Sequence, residues 1–168
     1  MTVFQPHLKT SRRASPRRIA TNLLITLLFG LLAIQALPFG RNHTNPPVLA
    51  EPAWDSATTR VLFMRACADC HSNETAWPWY SSVAPVSWLV ARDVVEGRQK
   101  LNISEWGRAE QEADDAAETV QKGEMPLWFY IPLHPEAALM PIEREQLIAG
   151  LTATFGGEHD DRSRDADS

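Results

Sequence analysis

Residues 61–73 read VLFMRACADCHSN. Asp55 is placed to cap a helix that carries Val61, Leu62 and Met64 and runs into Cys67. The helix therefore delivers Cys67-Ala68-Asp69-Cys70-His71, and Cys67 and Cys70 are the only 2 cysteines of the chain. This is the C-x-x-C-H pattern of c-type haem attachment. Two thiols at that spacing add to the two vinyl groups of a haem, and the next imidazole then lies under the ring to bind iron.

Three other chemistries use the same residue types. A disulfide between Cys67 and Cys70 would close so short a loop that it removes little unfolded-state entropy. A thiol–disulfide oxidoreductase places C-x-x-C at a helix start beside βαβ structure, and this chain has no strand pattern to build one. A structural zinc site needs four Cys or His ligands, so Cys67, Cys70 and His71 would need a distant fourth such as His134. Haem attachment accounts for the spacing with no further residue.

Upstream, Ile19 to Leu37 reads IATNLLITLLFGLLAIQAL without a charge, long enough to cross a bilayer as a helix. Arg12, Arg13, Arg17 and Arg18 precede it. The positive-inside rule keeps residues 1–18 in the cytoplasm, makes 19–37 a single-pass anchor in the inner membrane, and sends the remainder to the periplasm. A cleaved signal peptide is the alternative, but its apolar region is usually shorter and the cleavage sites are poor. Residues 38–53, rich in Pro and Asn, read as a tether.

A domain over 54–155 follows, with an acidic, disordered tail at 156–168. Pro85 in a first turn, Val86, Leu89, Val90 and Val94 at helical spacing, and Gly97 as a stop predict a second helix. Ser104 is expected to cap a third, solvated helix from Glu105 to Lys122, stopped by Gly123. Pro141 opens a last helix whose Ile142, Leu147, Ile148 and Leu151 pack on the core before Gly156. The fold class is all-α, a small helical domain behind one N-terminal transmembrane helix. In a domain this small an apolar cofactor adds missing core.

The motif does not stand alone. His71-Ser72-Asn73-Glu74-Thr75-Ala76-Trp77-Pro78-Trp79-Tyr80, Ala84-Pro85-Val86-Ser87-Trp88, Leu101-Asn102-Ile103-Ser104-Glu105-Trp106, Gly123-Glu124-Met125-Pro126 and His134-Pro135-Glu136-Ala137 follow in order. Together they resemble the bacterial haem-binding domain family of c-type cytochrome-like proteins, over about Trp54 to Leu151. The resemblance implies a helical, exported, monohaem domain with one covalent haem c on Cys67 and Cys70 and His71 as proximal ligand.

For the sixth iron position, Met125 on a loop stiffened by Pro126 is the first candidate, because a thioether favours ferrous iron and suits electron transfer. His134, in a Pro-bounded loop, is the alternative. Trp77, Trp79, Tyr80, Trp88 and Trp128, with Trp106, Phe129 and Tyr130, are expected to wall the porphyrin. The second ring nitrogen of His71 is expected to bond a backbone carbonyl near Pro78 or Pro85, while His7, His43 and His159 fall in tails or tether.

One-electron transfer to a redox partner protein in or at the membrane is the leading function, and no enzyme signature is present. A haem enzyme or sensor with an open distal site is the alternative, with Asp69, Glu124 and His134 as its polar groups. With a net charge of -5 and no basic stripe beyond the first twenty or so residues, nucleic acid is not an expected partner.

Overall fold

The structure is a computed structural model and describes residues 15–108 and 111–156. It divides into two units, at Pro38 and Phe39. The first contains α1, Pro16–Ile34, with Pro16 at its first position and the Ser15 hydroxyl accepting the Arg18 N–H at its start. Nearly all of its large apolar side chains are exposed, and it is the one helix among the described residues long and apolar enough to cross a membrane. It starts three residues before the predicted span and ends three residues before its end.

The second unit is helical. α2, Ala57–Ala66, is capped by Ser56, whose hydroxyl accepts the Thr59 N–H at 3.2 Å. The expected cap, Asp55, has other work: its N–H and carboxylate both bond the Thr154 hydroxyl, tying the start of α2 to the end of the last helix. Leu62, Phe63 and Ala66 bury one face of α2. The backbone breaks at Cys67 (φ −127°), and Ala68–His71 forms a single further turn, α3.

A 3-10 turn, Trp79–Ser82, leads to α4, Val86–Lys100. Gly97 does not stop this helix. It lies buried inside it, where a Cβ would meet the Cys70 carbonyl oxygen at 2.5 Å, so the missing side chain lets α4 pack directly on α3. The helix ends where Leu101 turns extended.

The third helix is shorter than predicted: only Ala116–Lys122 is helical, as α5, ended by Gly123 in the left-handed region (φ 76°). The segment before it is committed elsewhere. Ser104 accepts the Asn73 N–H instead of capping a helix, and Gln111 accepts the Asn102 N–H. These bonds draw on long-range partners that helical periodicity does not register.

Two further 3-10 turns, Ile131–Leu133 and Pro135–Ala137, precede α6, Pro141–Phe155. α6 packs on α2 and α5. Its buried Leu147, Leu151 and Phe155 join Leu62, Phe63, Leu101, Ile103 and Val120 in the core, with Ile148 partly buried against it. Ile142, expected in the core, is exposed. It stands five residues before Leu147, about 140° around the helix from the buried stripe.

Residues 43–51 are laid against the domain along much of their length. Leu49 N–H donates to the Ser104 carbonyl at 2.8 Å and Trp106 N–H to the Ala50 carbonyl at 3.1 Å. His43 stacks on Trp77 with ring centroids 4.5 Å apart, and Asn45 bonds the Thr75 carbonyl. The Pro and Asn content that reads as a tether serves these side-chain and backbone bonds. The acidic tail from residue 157 and the arginines at 12 and 13 lie outside the described residues.

Candidate functional site

A cavity of about 980 Å³ opens between α3, α4, α5 and the loop after α5. That is the upper end of the roughly 300 to 1,000 Å³ typical of ligand and cofactor pockets. Cys67, Cys70 and His71 line it from one side of the sequence, and Met125, Tyr130 and His134 from the other. Val86, Val90 and Val94, four residues apart on α4, supply an apolar stripe.

The break at Cys67 places both thiols and the imidazole on one short turn facing the cavity. The thiols are not bonded to each other. Burial pushes both up to about 12, and for Cys70 the nearby Asp69 and Asp93 carboxylates push in the same direction. Thiol–disulfide exchange runs through the thiolate, which such surroundings suppress at neutral pH. Among the described residues no three His, Cys, Asp or Glu side chains converge as a metal-holding group.

His71 is held from behind. Its Nδ1 lies 3.1 Å from the Leu101 carbonyl oxygen. Burial lowers its pKa, and the Leu101 and Gly97 carbonyls oppose that without reversing it. The ring is therefore neutral at pH 7, and an N–H at Nδ1 donating to Leu101 leaves the Nε2 lone pair free. The carbonyl differs from the expected ones. Pro78 already accepts the Ser81 N–H and hydroxyl, and Pro85 accepts the Trp88 N–H, each inside its own turn.

The Leu101 carbonyl is in turn fixed by a buried polar network. The Asn102 side-chain N–H donates to Asn73 Oδ1 at 2.9 Å, and Asn102 Oδ1 accepts the Ser104 N–H at 3.0 Å. Ser104 Oγ accepts the Asn73 N–H, and the Ile103 N–H donates to the His71 carbonyl at 3.0 Å. Asn73, Asn102 and Ser104 are all buried. Reasoning from sequence gave Asn73 and Asn102 no separate role and Ser104 only that of a helix cap, although two amides and a hydroxyl beside Leu101 and Ile103 and next to the motif were the available signal.

On the loop after α5, Met125 is partly buried against the core and lines the cavity. His134 also lines it, but its nitrogens are engaged: Nε2 lies 3.0 Å from the Tyr80 hydroxyl and Nδ1 3.2 Å from the Tyr130 carbonyl oxygen. Its ring stacks on Tyr130 at 3.8 Å. The Tyr130 hydroxyl donates to the Asp69 carboxylate at 2.5 Å, linking this loop to the cysteine-bearing turn. Burial and that bond raise the Tyr130 pKa, so the phenol stays protonated.

The aromatic wall differs from expectation. Tyr80 lines the cavity, joined by Phe63, Phe129 and Tyr130, whereas Trp77, Trp79, Trp88 and Trp128 do not. Trp77 stacks on His43 and bonds Asn45. Trp79 and Trp128 are 81% and 82% exposed. Trp88 sits two residues from Val86 and Val90, about 200° around α4 from the cavity stripe. Trp106, with Trp54, packs on Phe155.

The residues present fit an iron porphyrin: an apolar cavity of adequate size, two thiols and a neutral imidazole on one turn, and a thioether across from them in sequence. No curated protein and no solved structure matches the chain. The haem-binding domain family model matches residues 29–153, which include the cavity residues named above. The chain therefore belongs to the haem-binding domain family, and it is a haem-binding protein.

Proposed function

We propose that this chain is a membrane-anchored, periplasmic carrier of one covalent haem c that passes single electrons to a redox partner in or at the inner membrane. The observation that carries the reading is the convergence of Cys67, Cys70, His71 and Met125 on one apolar cavity. In this reading Cys67 and Cys70 would hold the porphyrin as thioethers, and His71 Nε2 and the Met125 thioether would bind its iron. The bound haem supplies a one-electron couple at the iron.

The rest of the work belongs to the protein. Leu101 orients the imidazole and raises its basicity, while the valine stripe of α4, with Phe63 and Phe129, excludes water. No acid, base or nucleophile is required. α1 supplies the anchor, with its N-terminal arginines in the cytoplasm.

Haem staining of the denatured, exported protein tests the attachment, since only covalently held haem survives; an unstained band of unmodified mass sinks it. Carbon monoxide tests the ligation: the ferrous protein should bind it poorly and Met125→Ala readily. A Met125→Ala protein with unchanged spectrum and potential removes Met125 from the iron. A second reading, a haem sensor with an open distal site, draws support from the Tyr80–His134–Tyr130 group in the cavity. Ready carbon monoxide binding by the unaltered protein selects it.

A further inference from the structure

The domain receives its polypeptide at one defined place. Gly40, in the left-handed region (φ 68°), packs its backbone on the main chain of Ser87, in the first turn of α4. Three residues later the His43 ring bonds the Ser81 carbonyl at 3.1 Å, on the 3-10 turn Trp79–Ser82. The point of entry is thus pinned to two elements, that turn and the start of α4.

Those same elements expose apolar side chains. Trp79 is 81% exposed, and Val83 and Val86 are exposed beside it in sequence, as is Phe39 at the entry itself. Residues 75–91 contain no charged side chain. An uncharged stretch of this length with an exposed tryptophan is unusual on a water-facing surface, where both signs of charge are normally interspersed. Tryptophan is enriched at membrane–water interfaces because its ring is apolar and its N–H polar.

Chain length points the same way. Only residues 35–39 separate Ile34, the last residue of α1, from Gly40. Fully extended, that connection reaches at most about 21 Å, at roughly 3.5 Å per residue. A spanning α1 therefore leaves the entry face no option of standing far from the headgroups.

We infer that the face formed by Phe39, Trp79, Val83 and Val86 rests on the lipid surface. The inference rests on the membrane-anchor reading of α1. Val86 and Leu89 also line the cavity, so this wall of the cavity lies close to the bilayer, and a haem held there would favour membrane-embedded redox partners over diffusing soluble ones.

The test uses the full chain in phospholipid vesicles that contain a diazirine-bearing phospholipid, with carbene insertion mapped by peptide mass spectrometry. Labelling of α1 together with the peptide that spans Trp79 to Val86 supports the inference. Labelling of α1 alone overturns it and leaves the anchor standing. Labelling of neither overturns the anchor reading, and the inference with it. The double variant Trp79→Glu, Val83→Glu changes two exposed side chains outside the cavity; it should keep its haem and its α1 label but lose label at Val86. Retention of that label refutes the lipid contact.

Discussion

Gly97→Ala is the sharpest probe of how the cysteine-bearing turn is held. In an exposed helix interior this exchange stabilises by about 0.8 to 1 kcal/mol, through helix propensity alone. Here the new Cβ would lie 2.5 Å from the Cys70 carbonyl oxygen, 3.0 Å from its Cβ and 3.1 Å from its carbonyl carbon. Carbon and carbonyl oxygen tolerate approach to about 3.3 Å. α3 and α4 must therefore part by roughly 0.8 Å, against main-chain atoms that have no rotamer to change. Overpacking of this kind costs about 1 to 3 kcal/mol, and a backbone obstacle puts it in the upper part of that range. The net effect is a loss of about 1 to 2 kcal/mol, a fall in Tm of roughly 4 to 10 °C for a domain this small. Covalent haem yield should drop in parallel, because Cys70 is the group displaced. Thermal melting and haem staining of the full chain read both effects. A variant that melts at or above the parent temperature, with equal haem, refutes the direct packing of α4 on the motif.

Two other perturbations address the supports around the site. Asn102→Leu keeps the volume but strands Asn73 Oδ1 and the Ser104 N–H in the interior, at about 1 to 3 kcal/mol for each unsatisfied group; a lower Tm and a shifted midpoint potential in redox titration are expected, and a protein unchanged in both would show that the network does not position His71. Glu143, which accepts two bonds from Arg65 and the Met140 N–H, has its pKa held below the ordinary 4.5 chiefly by the Arg65 bonds. A depressed carboxylate contributes stability that is present above 4.5 and lost as pH falls through its folded pKa, so Glu143→Gln should flatten the acid limb of a chemical-denaturation series below pH 4.5; an unaltered limb counts against the ion pair.

Helix periodicity was enough to read α2, α4 and α6, because each shows an apolar stripe and a local stop or start. It failed where the deciding interaction was distant in sequence. Gly97 reads as a stop from local rules, yet its reason is the proximity of Cys70, twenty-seven residues earlier. Ser104 reads as a cap, yet its hydroxyl serves Asn73. Cys67, Cys70 and His71 were legible as one group because they are neighbours in sequence, and the structure puts all three on the cavity. The tryptophans were not, because indole is equally suited to walling a cofactor, stapling residues 43–51 as Trp77 does, or standing exposed as Trp79 and Trp128 do, and only tertiary contacts separate these uses. The Leu101 carbonyl was missed because it lies thirty residues after His71, beyond any local rule, while the expected carbonyls of Pro78 and Pro85 accept bonds inside their own turns.

The two sides of the cavity differ in how they are held, and that difference bears on function. Behind His71, the Leu101 carbonyl meets the imidazole, the Ile103 N–H bonds the His71 carbonyl, Gly97 packs α4 on Cys70 next to it, and the Asn73 and Asn102 amides bond each other in the interior. Across from it, the loop from Gly123 to Leu139 is built of short 3-10 turns, and Tyr130 to Asp69 and Tyr80 to His134 are side-chain hydrogen bonds that tie it to the rest of the cavity. A ligand on the first side changes position only if several buried bonds break together, whereas one on the second moves with a loop secured by few. The His71 imidazole is thus preorganised by the fold. If Met125 binds the iron as proposed, the affinity and potential of that bond would depend on how tightly Tyr130 and His134 hold the loop that carries it.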